Sequence, residues 1–159
     1  SSVLFYMAVY VVMTLGAFLC VLRMRDKDGE PVESLESLSG LSQSRPGLAA
    51  AIAIFMFSLA GIPPLFGFWP KLLVFWAAVD AGLVALAVAG IVGTVVGAYY
   101  YLKIIKIMYF DAPGAAYGRV RAPVETALIF LAAVAVSPLG YLLIGPLGDM
   151  TDRAAGSLF

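Results

Sequence analysis

Histidine is absent from this chain of 159 residues, and Cys20 is the single cysteine. The first absence removes the commonest general base near neutral pH and the commonest zinc ligand. The second excludes an internal disulfide and a thiolate-held metal cluster. Charge is scarce as well: 13% of residues carry one, against about one-quarter in ordinary soluble domains. Ten basic and ten acidic side chains cancel to a formal charge of zero. The chain therefore lacks the surplus of Lys and Arg with which a nucleic-acid binder neutralises phosphate. Apolar residues fill the space, at 62% of the sequence and a mean hydropathy of +0.98. The expectation is an integral membrane protein whose partner is the lipid bilayer. No cofactor or metal is expected in this chain, no nucleic acid, and no soluble small-molecule substrate bound here.

The apolar residues fall into runs long enough to cross lipid. Val3 to Leu22 carries no charge, and a bilayer core of about 30 Å takes roughly 20 helical residues, so it predicts one crossing. No basic stretch precedes the run and no small-residue cleavage site follows, which argues against a signal peptide. The chain opens Ser-Ser without Met, so a processed product or a piece of a longer protein is expected. Arg23 to Pro46 is rich in charge, Ser, Gly and Pro. Within it Leu35, Leu38 and Leu41 recur every third residue, the pattern of either a short interfacial helix or a solvated loop.

Gly47 to Val79 is apolar but interrupted by Gly61-Ile62-Pro63-Pro64 and then by Lys71. Adjacent prolines remove two backbone donors and clash with the preceding turn, so a continuous helix is not expected there. The flanking pieces, Leu48–Ala60 and Leu65–Val79, are each too short for a full span. One crossing built from two half-helices fits better. Charge supports that count. Asp80-Ala81-Gly82 carries no positive charge, whereas Leu83 to Tyr109 ends in Lys103 and Lys106, followed by Arg119 and Arg121. One crossing over 47–79 puts the basic loops 23–46 and 103–121 on one side of the membrane, as the positive-inside rule asks. Val124 to about Pro146 makes the last span, expected to kink at Ser137-Pro138, with a polar tail from Asp149 to Phe159. The predicted fold class is all-α: a polytopic membrane helix bundle with four crossings at 3–22, 47–79 (broken at 61–64), 83–109 and 124–146. The basic loops are expected in the cytoplasm and both ends on the periplasmic side.

Lys71 is the candidate for chemistry. Counting nine helical residues at ~1.5 Å each from Asp80 places it roughly 13 Å below the outer interface, near mid-bilayer. A Lys there costs roughly 3 kcal/mol on insertion scales. Burial penalises the charged amine, so its proton becomes exchangeable as neighbouring charges change. The helix break at Gly61, Pro63 and Pro64 exposes backbone groups that water can solvate, and water supplies a proton path. The competing reading is structural: the long stem snorkels to a headgroup. Tyr99, Lys103 and Lys106 share one helix face. Lys103 is equally a second relay or an interfacial anchor, and Lys106 reads as an anchor within a Tyr belt. Gly93 and Gly97 read as a close-packing pair, Thr14 and Ser58 as hydroxyls bonded back to their own helices, and Glu125 as a cap-region carboxylate.

The run Phe57-Ser58-Leu59-Ala60-Gly61-Ile62-Pro63-Pro64-Leu65-Phe66-Gly67-Phe68 followed by Lys71, with Gly97-Ala98-Tyr99-Tyr100-Tyr101-Leu102-Lys103 and Met108-Tyr109-Phe110, resembles the antiporter-like, proton-pumping subunits of bacterial NADH–quinone oxidoreductase, respiratory complex I. The loop Glu33-Ser34-Leu35-Glu36-Ser37-Leu38 with Arg45-Pro46 agrees. The resemblance covers the whole chain and implies the C-terminal third of such a subunit. It implies a fourteen-helix subunit with two inverted repeats, of which this chain supplies the last four helices, with the break in helix twelve. It implies a subunit of an enzyme complex that carries no redox chemistry itself, other membrane-arm subunits as partners, and a bacterial inner membrane location. Lys71 falls on the Lys that the family uses for proton transfer in the second half-channel, while the family's other relay residues lie upstream of this chain. Relatives carry Gly directly before this Lys. Pro70 stands there here and is expected to move or extend the break. A subunit of a multi-subunit Mrp-type cation/proton antiporter is the alternative within transport, and a structural membrane scaffold is the alternative outside it.

Overall fold

The computed structural model describes residues 2–25, 28–32, 34–114 and 123–156. Arg119 and Arg121 lie outside the described residues. The described elements are helical, apart from one isolated bridge between Arg25 and Pro31.

Helix α1 covers Ser2–Leu22. The loop after it is partly ordered into helix: a 3-10 turn at Leu35–Leu38 capped by Ser34, then the short α2 at Leu41–Ser44. Leu38 and Leu41 are buried whereas Leu35 is exposed, so two of the three spaced leucines form the inward side of this segment. Helix α3, Pro46–Ala60, starts on a proline, whose missing N–H is no loss at the first helical position. Helix α4 runs Phe68–Asp80, α5 Val84–Phe110 and α6 Pro123–Val136. By length and composition, α1 and α5 can cross a membrane, and α3 and α6 are shorter apolar helices.

Helix α3 is the centre of the bundle. It packs on α1, α5 and α6 and buries Ile52, Phe55, Met56, Ser58 and Leu59. Gly16 of α1 lets the Phe55 ring approach, since a Cβ there would overlap the ring. α1 and α5 each pack against both α3 and α4. Two hydrogen bonds tie the leucine loop to the end of α5, from Gly40 N to the Ile107 carbonyl at 3.2 Å and from Gly114 N to the Ser39 carbonyl at 3.0 Å. The loop after α1 and the end of α5 thus meet at one end of the bundle.

The C-terminal segment is interrupted at Ser137-Pro138, where its sequence predicts a kink, and differs from expectation in its tail. The α-helix stops at Val136, passes through a 3-10 stretch at Pro138–Leu143 and resumes as α7 over Ile144–Gly156. Pro138 has no N–H with which to continue α6. The Ser137 hydroxyl donates to the Val134 carbonyl at 2.7 Å and accepts from Leu139 N at 3.2 Å, which closes the helix end. Asp149 to Gly156, expected as tail, belongs to a helix that packs on α1.

Candidate functional site

Between α3 and α4 the chain makes a turn at 61–67 whose construction rests on four residues. Gly61 has φ +77°, in the left-handed region open to glycine. Its N–H bonds to the Ser58 carbonyl at 3.0 Å, and Ile62 N reaches the Phe57 carbonyl at 3.1 Å, the paired closure of a Schellman motif. The next carbonyls, of Leu59 and Ala60, would ordinarily accept from the residues four positions on. Those are Pro63 and Pro64, which have no N–H. Gly67 completes the turn: its N–H donates to Ser58 Oγ at 3.0 Å, and a Cβ on it would overlap the Ser58 carbonyl.

Lys71 takes one of the end carbonyls of α3. It stands in the second turn of α4, half-buried, and its Nζ donates to the Leu59 carbonyl. Gly61 makes room, since a Cβ there would lie 3.0 Å from Lys71 Cδ and 3.3 Å from Nζ. A cation on the last carbonyls of a helix also meets the negative end of that helix's dipole. The Met13 sulfur accepts from Ser58 Oγ at 3.1 Å, so the end of α3 sits opposite the middle of α1.

The far side of the turn is held by aromatic rings and α6. Phe66 N donates to the Val136 carbonyl at 2.9 Å, and the Phe66 ring makes edge contacts with Phe5 and Tyr141. The Tyr141 hydroxyl donates to the Pro64 carbonyl, and its ring meets Trp69. The helix stop after Val136 thus delivers Tyr141 onto the turn before Lys71.

Of the break residues named from sequence, Gly61, Pro63 and Pro64 lie in the turn. Pro70 does not: it is buried inside α4, at its third residue. The first N–H groups of a helix have no intrahelical partner, so a proline is tolerated there and does not lengthen the break. Lys103 is not brought to Lys71. It is exposed on α5, and Lys106 makes a long pair with Asp111, N to O 3.8 Å, with 70% and 39% of the two side chains exposed. The inward face of α5 presents Tyr101 and Ile104 instead, which with Tyr10, Thr14, Met56 and Leu59 line a cavity of about 370 Å³ between α1, α3 and α5. Thr14 Oγ1 is buried without a hydrogen-bond partner among the described residues rather than bonded to its own helix. Ser58 likewise serves the turn and Met13. The Gly93 and Gly97 positions meet no other helix among the described residues, whereas Gly90 receives the Phe75 ring. Sequence reasoning passed over Gly67 and Tyr141. Gly67 had a signal, a glycine one residue before a new helix. Tyr141 had none, since its approach depends on how the chain turns after Val136.

Residues 1–97, which include the whole turn and Lys71, match the family model described as NADH:quinone oxidoreductase/Mrp antiporter, TM. The chain belongs to this family of membrane antiporter-like proteins. Among its curated relatives are proteins named NADH-quinone oxidoreductase subunit N, from Rhizorhabdus wittichii at 64% identity over 161 residues and from Sphingopyxis alaskensis at 57% over 161. All of the chain aligns in both cases, with 33% and 34% of the relatives. It spans about a third of the length of the curated relatives it matches, the C-terminal third. Among solved structures, a chain of respiratory complex I from Thermus thermophilus with bound aureothin is similar at 35% identity and TM-score 0.75, over 89% of this chain and 32% of that one. A chain of the Mrp complex from Dietzia sp. shares the fold at 23% identity and TM-score 0.71, over 92% of this chain and 34% of that one.

Proposed function

We propose that this chain is the C-terminal part of a proton-translocating membrane-arm subunit of a bacterial NADH–quinone oxidoreductase, and that Lys71 relays the proton. The observation that carries the reading is the Lys71 amine on the Leu59 carbonyl, at the C-terminal end of α3, whose last carbonyls have no partner within the helix. Depth, a charge and unpaired backbone coincide there, and an intramembrane ionisable group at an interrupted helix is what a proton site requires. The protonated amine is stabilised by the α3 carbonyl end. When neighbouring charge changes, the neutral amine leaves that carbonyl to water, and the site has released a proton.

In this reading α3 and α4 are two halves of one crossing. Their light mutual contact, with α1 and α5 packed against both, supports an end-to-end arrangement. The last crossing is formed from α6 and the helical segment after it, which makes four. The hydrogen bonds joining residues 39–40 to 107–114 support placing the basic loops 23–46 and 103–121 on one side, the cytoplasm, with both ends periplasmic. The membrane is the bacterial inner membrane, and the partners are the other membrane-arm subunits. Electron transfer is assigned to other subunits of the complex, and the single Cys, buried Cys20, and the missing His of this chain are consistent with its holding no iron–sulfur cluster. Lys103 remains a second candidate relay.

The family description also covers Mrp antiporters, and that reading is separated by purification. An affinity-tagged full-length subunit is expected to bring down NADH-dependent quinone reduction, and an Mrp subunit would bring down none. The scaffold reading is separated by Lys71→Ala. In an assembled complex that still oxidises NADH, proton translocation is expected to be lost, and unchanged translocation would leave Lys71 as a purely structural residue.

A further inference from the structure

Lys71 is held by one backbone oxygen. Its amine donates to the Leu59 carbonyl, and among the described residues no carboxylate forms an ion pair with it. An ammonium on a flexible four-carbon stem stays on a single acceptor only while the stem and the acceptor keep their spacing. The carbonyl ends α3, whereas the stem rises from α4. These two helices touch each other lightly, so the spacing is set by the turn at 61–67 and by whatever holds that turn.

The segment after α6 holds it at two points. Phe66 N donates to the Val136 carbonyl at 2.9 Å, and the Tyr141 hydroxyl donates to the Pro64 carbonyl. Tyr141 also reaches α4. Its ring stands edge-on to Trp69, two residues before Lys71, with 6.2 Å between centroids. One side chain thus joins the turn to the helix that bears the amine. Tyrosine suits such a link, since its ring is rigid and turns about only two side-chain angles. The joint between α6 and α7 fixes Tyr141 in turn. Gly140 N donates to the Ser137 carbonyl at 2.8 Å, and a Cβ on Gly140 would stand 3.1 Å from the Phe66 ring.

We propose that Tyr141 is a positioning residue for the proton step: by tying Pro64 to Trp69 it keeps the Lys71 amine on the Leu59 carbonyl. The inference rests on the reading of Lys71 as the relay. It makes the joint between α6 and α7 part of the site, because a shift of that joint changes how the amine is held.

The test reads the amine directly, in the complete complex in nanodiscs. A membrane-permeant amine-reactive ester is added, and acylation of the Lys71 peptide is followed by mass. The ester is attacked by the neutral amine, so an amine released from its carbonyl reacts faster. Lys106, exposed near the end of α5, is the internal reference. Tyr141→Phe, which removes the hydroxyl alone, is expected to raise the Lys71 rate relative to Lys106 about threefold and to lower the protons moved per NADH. Tyr141→Leu, which also takes the ring from Trp69, is expected to give a larger rise, and if it fails to assemble Tyr141→Phe carries the test. Ile129→Val trims the buried face of α6 about two helical turns before Val136 and is expected to leave both readings at parent values. An unchanged Lys71 rate in the Tyr141 variants would overturn the proposal. So would a faster rate in complexes that keep the parent proton yield while Lys71→Arg lowers it. A parent-like yield from Lys71→Arg would overturn the relay reading and the proposal with it, and the acylation rates keep that failure apart from a failure of Tyr141 to position the amine.

Discussion

The Lys71 amine lies on the Leu59 carbonyl, one of the last carbonyls of α3 and therefore without a partner inside its own helix. Lys71→Met keeps a stem of similar length and leaves that carbonyl without its donor, at about 1–3 kcal/mol. The melting temperature of the purified assembly is expected to fall, together with proton translocation, while NADH oxidation persists in the fraction that assembles. An unchanged melting temperature would mean that the Leu59 carbonyl is not what holds Lys71.

Two glycines shape the turn for different reasons, and their variants should differ accordingly. Gly61→Ala forces a side chain into a left-handed backbone, at roughly 1–2 kcal/mol, and crowds the Lys71 stem. Gly67→Ala drives a methyl into the Ser58 carbonyl, an overpacking defect of about 1–3 kcal/mol. Both are expected to lower the melting temperature of the purified assembly. Gly61→Ala should in addition disturb translocation in the fraction that assembles.

Much of this turn was legible from sequence. The adjacent prolines, the glycine before them and a lysine soon after announce the end of α3 and a charge in the next helix. The run of uncharged residues at 3–22 likewise announces α1. Pro70 misled because the effect of a proline depends on its distance from a helix start: with α4 beginning at Phe68, its missing N–H lies where no partner was needed. The stop at Ser137-Pro138 was legible from its proline, but the helix over the expected polar tail was not, because hydropathy does not record direction. The 3-10 stretch and the arrival of Tyr141 at Pro64 depend on tertiary contacts. Ser58 and Thr14 look alike in sequence, as small hydroxyls in apolar helices. Only packing tells that the first accepts from Gly67 N and the second borders a cavity.

Ser58 and Tyr141 hold the turn from opposite sides. Ser58→Ala leaves the buried Gly67 N–H without its acceptor, at about 1–3 kcal/mol. Tyr141→Phe removes one hydrogen bond to the Pro64 carbonyl and keeps the ring contacts with Phe66 and Trp69, at roughly 0.5–1.5 kcal/mol. Thermal unfolding of the assembly should therefore rank Ser58→Ala as the more damaging. The reverse order would mean that the tyrosine contact dominates the turn.

Lys106 should behave as an anchor. Its pair with Asp111 is exposed at 3.8 Å, and exposed pairs contribute ~1 kcal/mol or less. Lys106→Ala is expected to leave both stability and translocation close to the parent. Lys103→Ala is the companion measurement: a loss of translocation with NADH oxidation intact makes Lys103 a relay, and parent-like translocation makes it a second anchor.

The most direct measurement is the number of protons moved per NADH oxidised by complexes carrying Lys71→Arg, reconstituted in sealed vesicles. Arginine keeps the positive charge that the Leu59 carbonyl accepts, but it does not give up its proton. The expected result is a complex that assembles and oxidises NADH with a lowered proton yield. A yield equal to that of the parent would mean that Lys71 supplies charge alone, and the relay would have to be sought elsewhere.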